Sequence, residues 1–392
     1  MNDTALKVIN VFKEKFLEEP HLFYSPGRIN LIGEHVDYND GFVMPGAIDK
    51  GIYFAISLNN SEMINCVSID FDESISLSLS EIKKSESWKN YVLGVVNEFQ
   101  KAGLPVKGFN CTFGGNIPIG GGMSSSAALE GGISFGLNHL CGFGLDRKEL
   151  ALLGQRAEHN FPGVMCGIMD QYANMMGKVQ SVILLDCMSI THEYIPLHIE
   201  GYELVLVNSN VHHSLAGSEY NHRRKDCEAG LKILKEEAGI NSFRDIKNPE
   251  ELASFKDKMP DQVYKRCRYV VDEIARTQKA AALLKENDIE GFGALMFETH
   301  EGLKTLYEVS CPELDFLVDA AKEDNNVVGS RLMGGGFGGS TINLIKKEGI
   351  NFFLSKILAS YQKQFGIDAE TYRVKVVDGV NEISTAIDGA AF

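Results

Sequence analysis

Leu6, Ile9, Phe12 and Phe16 recur at near-helical spacing, so the pattern predicts that the chain opens with an amphipathic helix. The period then shortens. GIYFAISL (51–58) and MINCVSI (63–69) read as strands, and SISLSLS (74–80) alternates strictly, as a half-buried strand does. Residues 88–101 read as a helix, and FNCTF (109–113) as a strand leading into a glycine-rich loop. The run from Ser124 to Leu140 is a helix that stops near Gly142, and Asp146 is a good N-cap for another reaching about Asn160. SVILLD (181–186) and YELVLVN (202–208) are strands.

Beyond that point the pattern changes. Residues 219–237 and 264–286 form charged, amphipathic helices, and a further helix covers 289–309. RLMGGGFGGSTINLI is a glycine-rich turn entering a strand, and YRVKVV (372–377) is a late strand. The shift from strand-rich to helix-rich sequence puts a domain boundary near 190–205. No flexible linker lies there, so the domains are expected to share an interface. This element order favours α+β domains over a doubly wound parallel sheet.

A chain of 392 residues can bury a substantial core and suggests two or three domains. The net charge of −15 argues against nucleic acid as a partner, because its phosphates would be repelled. An anionic nucleotide bound with a divalent metal stays possible, since a site can be locally positive. No apolar run is long enough to span a bilayer, and the N-terminus lacks the basic and apolar regions of a signal peptide. The cysteines at 66, 111, 141, 166, 187, 227, 267 and 311 are scattered without a CxxC pair. Reduced thiols in a cytoplasmic protein fit that spacing better than a disulfide framework or a metal site.

Three stretches carry the candidate chemistry. Ser25–Asp49 packs Arg28, Asn30, Glu34, His35, Asp37, Tyr38, Asn39 and Asp40 into one short segment. So many hydrogen-bonding groups need partners if buried, and a ligand studded with hydroxyls would supply them. Composition alone also fits a polar surface loop. Gly114–Gly132, GGNIPIGGGMSSSAALEGG, follows a strand and opens a helix. Its glycines admit close backbone approach, and the first helical N–H groups are unpaired and partly positive, an arrangement that binds phosphate. A glycine-rich turn with an ordinary serine cap reads equally well there, and no Gly-Lys-Ser/Thr makes it a Walker A loop. A third cluster holds Gly334, Gly335, Gly336, Gly338 and Gly339 just before TINLI. Having no side chains, these residues shape a site or pack tightly; they do not react.

Together these segments resemble the GHMP small-molecule kinases, and within them the galactokinase family. The resemblance is carried by PGRINLIGEHVDYNDGFVMP (26–45), PIGGGMSSSAALE, AEHNFPGVMCGIMDQ (157–171), SNVHHSLAGSEYNHRR (209–224), YEVSCPELD (307–315) and GSRLMGGGFGGSTINL, in the family's order over nearly the whole chain. Val36 stands where the family usually has threonine, Met123 replaces a usual leucine, and Ser340 stands where cysteine is common.

The resemblance implies a two-domain α+β fold. An N-terminal ribosomal-protein-S5-domain-2-like domain (1–200) and a C-terminal α/β sandwich domain (201–392) would hold the active site between them. It implies ATP-dependent phosphorylation of the anomeric hydroxyl of D-galactose, giving α-D-galactose 1-phosphate and ADP, the first committed step of galactose catabolism in the Leloir pathway. The alternatives are an N-acetylgalactosamine kinase and a non-catalytic galactose- and ATP-binding sensor. Asp170 and Arg28 match the catalytic aspartate and arginine, Asp170 accepting the hydroxyl proton and Arg28 offsetting phosphoryl charge. Glu34, His35, Asp37, Gly167, Asp170 and Tyr220 match sugar-binding positions. Gly120, Gly121, Gly122, Met123, Ser124, Ser125, Ser126 and Ala127 match the nucleotide-phosphate loop. Trp88 resembles an adenine-pocket residue, with core packing as its plain alternative. Ser126 and Glu158 are the implied ligands of Mg²⁺. His159, His212, His213 and His222 lack such support and read as structural. Galactose and ATP are the expected partners of a cytoplasmic monomer that contacts neither nucleic acid nor membrane.

Overall fold

The computed structural model describes residues 2–118, 120–212 and 216–384. Helix α1 (Asp3–Phe16) is capped by Asn2, whose side chain accepts from the Ala5 N–H at 2.9 Å. It buries Val8 and Phe12 against Ala55, as the opening period predicts. Strands β1 (His21–Asn30), β2 (Phe42–Val43), β3 (Pro45–Leu58), β4 (Met63–Ser68) and β5 (Glu73–Ser78) follow. Then come α2 (Lys89–Lys101), β6 (Phe109–Gly115), α3 (Ser125–Cys141), α4 (Arg147–Asn160), α5 (Met169–Met176), β7 (Ser181–Asp186) and β8 (Thr191–Pro196). Asp146 caps α4 in a reciprocal box with Glu149, as its position predicts.

The later part holds β9 (Tyr202–His212), α6 (Ala216–Ala238), α7 (Pro249–Ala253), α8 (Asp261–Lys285), α9 (Ile289–Gly302) and α10 (Pro312–Lys322). It closes with β10 (Val327–Met333), β11 (Gly338–Lys346), α11 (Ile350–Phe365), β12 (Glu370–Val374) and β13 (Asn381–Ile383). The sheets run in the orders β13-β1-β3-β6-β4-β5, β10-β11-β9-β12 and β2-β7-β8. This is the α+β architecture that the element order suggests.

Some segments differ from expectation. The polar stretch after Ser25 divides: residues 25–30 complete β1, residues 31–41 form mostly buried turns that carry Glu34, His35 and Asp37, and β2 and the start of β3 follow, with a register shift between Pro26 and Arg28. Asp170, for which the apolar pattern predicts no element, lies in helix α5. The helix expected over 289–309 stays α-helical only to Gly302 and widens into a π turn over Leu303–Tyr307. The late strand ends at Val374. Helices α7, α10 and α11 and strands β1, β2, β8 and β13 were not anticipated.

The two halves share a continuous apolar core. Ile29, Leu31, Ile32, Met44 and Ile48 pack with Leu204, Leu206, Leu295, Met296 and Ile342. Beyond β12 the chain crosses back: Val377 donates to Ala47 O, Gly379 donates to Gly177 O, and β13 pairs with β1. A cut near residue 200 therefore leaves the closing strand in the first sheet. No helix among the described residues is long and apolar enough to cross a membrane.

Candidate active site

The β1 irregularity aims Arg28 inward, where it is 5% exposed. Its Nε donates to Asp170 Oδ1 at 2.8 Å and its Nη2 to Oδ2 at 3.0 Å, while Nη1 donates to Gly122 O. The Arg28 N–H also donates to Met123 O at 3.1 Å, tying the glycine loop to β1. Burial alone would lower the guanidinium pKa; the carboxylates of Asp170 and Glu34 raise it overall. Asp170 lies in the first turn of α5. The Ser124 hydroxyl donates to its Oδ2, and Ser124 sits at φ +56° at the start of α3 without capping the helix. The structure thus turns Ser124 toward Asp170 and leaves the first N–H groups of α3 available to an anion.

Glu34, His35 and Asp37 line one polar pocket with Arg28, Glu158, Gly167, Asp170 and Tyr220, with a volume of about 140 Å³. Space for a handful of waters, at roughly 30 Å³ each, suits one small polar molecule. Oε1 of Glu34 accepts from both terminal nitrogens of Arg331, each at 3.1 Å, and from the Gly334 N–H at 2.9 Å. Among the described residues no hydrogen bond reaches Oε2, which is left for a ligand. Arg331, fully buried on β10, also donates to the carbonyls of Asn30, Leu31 and Leu332. One guanidinium from the second half therefore fixes the polar segment of the first.

His35 is engaged at both nitrogens. Nε2 lies 3.1 Å from Gly335 O and Nδ1 lies 2.7 Å from Tyr38 Oη. A carbonyl only accepts, so Nε2 carries the proton and Nδ1 accepts from Tyr38. Tyr38 then accepts from Tyr307, 2.9 Å away, which lies 3.3 Å from Cys227 Sγ. Burial pushes the imidazole pKa down to about 4, keeping it neutral near pH 7. His35 thus buttresses the third glycine turn and offers the pocket its ring rather than a free nitrogen.

Asp37 needs the glycine at 167: a Cβ there would lie 2.0 Å from Asp37 Oδ2. Burial, then the charge of Asp170, pushes the Asp37 carboxyl up to about 7. Tyr220 lines the pocket 5.2 Å from the His35 ring, and burial pushes its phenol well up.

A second acidic group lies behind Asp170. Gln171 Nε2 donates to Glu158 Oε2 at 2.7 Å and to Glu130 Oε2 at 3.1 Å. Burial, then Asp170, pushes Glu158 up to about 7, against hydrogen bonds from Cys166, Ser126 and Gln171. Burial also pushes Glu130 well up, and its Oε1 is buried without a partner. Carboxyl oxygens whose ionised forms lack a countercharge, one of them without a partner, fit a hard divalent cation, and Glu158 and Ser126 line the two adjoining spaces.

Beside the polar pocket, sharing Val164 with it, opens a cavity of about 580 Å³ lined by Phe71, Trp88, Tyr91, Phe113, Ser125 and Ser126. That volume and aromatic lining suit a nucleoside. Trp88 is 4% exposed, packs edge-on against Phe113 at 5.0 Å and donates Nε1 to Glu73 at 3.2 Å. Gly120, Gly121, Gly122, Met123 and Ala127 complete the loop and helix start between the two spaces. A larger cavity of about 710 Å³, bordered by Asp49, Tyr202 and Arg373, contains none of these groups.

The predicted site residues therefore meet around two adjoining spaces. His159 Nε2 donates to Cys166 O at 2.8 Å and His222 pairs with Glu219; both serve structure. His213 lies outside the described residues, as does the side chain of His212. Arg331, Glu130, Gln171 and Tyr307 escaped the sequence reading. The one available signal was Arg331 itself, a charge inside the apolar run before the glycines.

Three family models match the chain: the galactokinase galactose-binding signature over residues 10–58, the GHMP kinase N-terminal domain over 90–178 and the GHMP kinase C-terminal domain over 280–363. The chain is 41% identical to a galactokinase of Thermotoga maritima over 359 residues, covering 92% of this chain and 99% of the relative. It is 40% identical to a galactokinase of Clostridium acetobutylicum over 390 residues, covering 97% and 100%. The crystal structure of Lactococcus lactis galactokinase complexed with galactose superposes with a TM-score of 0.93 at 33% identity, covering 96% and 99%.

Proposed function

We propose, for a chain that belongs to the galactokinase family of the GHMP kinases, that it transfers the γ-phosphoryl group of ATP to the anomeric hydroxyl of D-galactose. The observation that carries this reading is the bidentate Arg28–Asp170 pair, set where the 140 Å³ polar pocket meets the phosphate loop. The sugar occupies the polar pocket. Oε2 of Glu34 and the Asp37 carboxyl accept its hydroxyl hydrogens, and Tyr220 closes one side. The nucleoside lies in the aromatic cavity beside Trp88. Its phosphates run along Gly120–Ala127 onto the start of α3.

Asp170 Oδ2 already accepts from Arg28 and Ser124, whereas Oδ1 accepts from Arg28 alone. Oδ1 therefore receives the anomeric hydroxyl. Arg28 and Ser124 hold the carboxylate in place, so Asp170 chiefly orients the nucleophile and takes its proton late, which suits a loose phosphoryl transition state. Arg28 also stabilises the charge on the transferring group. We assign Ser126 and Glu158 to hold Mg²⁺, which when bound supplies charge neutralisation to the ATP phosphates. Glu158→Gln then raises the Mg²⁺ requirement and leaves metal-free galactose binding intact; an unaltered requirement removes Glu158 from this role. We further assign residues 1–200 and 201–392 to two domains with the site between them, the second lending β13 to the first sheet, and a monomeric cytoplasmic enzyme.

An ADP-release assay over galactose, glucose, N-acetylgalactosamine, mevalonate and homoserine tests the reading. Galactose is expected to give the highest kcat/KM. A preference for N-acetylgalactosamine, or galactose binding without turnover, overturns it.

A further inference from the structure

We propose that His21, His139 and Glu382 form a surface site for a divalent transition cation, of the Zn²⁺ and Ni²⁺ class, that ties the closing strand to the first sheet. His21 opens β1, His139 lies in the last turn of α3, and Glu382 lies in β13 opposite Phe23. Folding alone brings these three elements together. His21 Nδ1 lies 2.7 Å from Glu382 Oε1, His139 Nε2 lies 3.5 Å from Glu382 Oε2, and the ligand atoms lie within 4.8 Å of one another. A tetrahedral cation with bonds of about 2.0–2.1 Å needs donors roughly 3.3 Å apart, so small side-chain movements complete the site.

The surroundings favour a cation. The two imidazole rings are tilted by 58° with centroids 5.9 Å apart, so they do not stack face to face. His139 rests edge-on against the buried Phe23 ring at 5.9 Å, which holds it in place. Among the described residues, Glu382 has no ionic partner except these two imidazoles. The side chains of His21, His139 and Glu382 are 50%, 47% and 39% exposed, so water can fill remaining positions. Two imidazoles and one carboxylate select Zn²⁺, Ni²⁺ or Co²⁺ over Mg²⁺, which prefers oxygen and keeps its waters. The site is thus distinct from the Mg²⁺ ligands assigned above. It lies at the far end of β1 from Arg28, roughly 23 Å away at about 3.3 Å per residue.

Its consequence is structural. Strand β13 pairs with β1 over only three residues, at the outer edge of the sheet. A cation held jointly by β13, β1 and α3 binds the folded chain and not the unfolded one, and so raises stability by linkage.

The test is calorimetric titration of Ni²⁺ into the reduced, metal-stripped full chain with excess Mg²⁺ occupying the oxygen sites. The parent is expected to show one saturable site and a Tm that rises with Ni²⁺. His139→Ala and Glu382→Gln each weaken binding by at least about tenfold and abolish the rise, measured against their own metal-free Tm, with kcat/KM for galactose unchanged. Cys141→Ser, close in sequence to His139, retains both. The proposal is overturned if the parent shows no saturable binding, which would mean a hydrogen-bonded triad only. It is equally overturned if His139→Ala binds as the parent does, or if Cys141→Ser alone abolishes binding.

Discussion

The two adjoining spaces beside the glycine-serine loop are built on opposite principles. The polar pocket is small and crowded with ionisable groups, and each is held by groups from distant parts of the chain: Arg28 by Asp170, Glu34 by Arg331, Asp37 by the Met169 N–H. The neighbouring cavity is about four times larger and presents mainly rings and aliphatic groups. A buried polar group left unpaired by the wrong ligand costs more than a misfitted apolar contact, so under the proposed function epimer discrimination is expected of the first space. The second gains affinity from area and tolerates variation.

If that contrast holds, Asp170→Asn gives the largest effect. Kcat should fall roughly 10²- to 10⁴-fold with ATP binding retained. Its Tm should stay near that of the parent: the amide oxygen still accepts from Arg28, Glu34 still offsets the guanidinium charge, and the like-charge push of Asp170 on Asp37 and Glu158 is relieved. Thermal melts, nucleotide titration and the pH profile of kcat check this; a parent-level kcat, or an activity lost together with the fold, removes Asp170 from the chemical step.

Arg331→Met comes next. It strips a buried carboxylate of its partner and should cost about 3–5 kcal/mol in a denaturant melt. Arg331→Lys keeps a charge but lacks the planar fork, so it should fold and raise the galactose KM while sparing the ATP KM. Equal damage to both KM values would show that Arg331 serves both spaces alike.

Asp37→Asn separates function from stability. Folded Asp37 keeps its proton up to about 7, against an ordinary value of 3.8, so the folded state binds more protons between those pH values. Its stabilising contribution is complete below about pH 4 and is lost as pH rises through about 7. In the ligand-free protein, Asp37→Asn should therefore gain stability on the parent across that window. The gain should reach about 1–2 kcal/mol at pH 8, less than the full shift because the pocket admits water. Galactose use should fall severely in the same variant. Melts at pH 4, 6 and 8 decide the first point, and a pH-independent difference would refute it.

The smallest effect is expected from Trp88→Phe. It keeps an aromatic face, loses the bond to Glu73 and should raise the ATP KM less than about tenfold, near 1 kcal/mol, leaving the galactose KM unchanged. A shift confined to galactose would reverse the assignment of the two spaces.

Local pattern was enough for the alternation of β5, the capped α4, the helix opened by the serines at 124–126 and the residues gathered from Arg28 to Asp37, because propensity, capping and spacing act within a few positions. Motif order named Asp170 and Glu158 as well, but not their setting: α5 was hidden because MDQYANMM mixes polar groups whose partners lie elsewhere in the chain. Only the tertiary structure decided that Ser124 faces Asp170, that both nitrogens of His35 are engaged, and that Arg331 reaches across from β10 to hold Glu34. It likewise decided that the last strand returns to the first sheet and brings Glu382 to His21 and His139. These pairings join residues far apart in the chain. They form because a buried charge must find its counterpart wherever the apolar core delivers one, and no local pattern records that address.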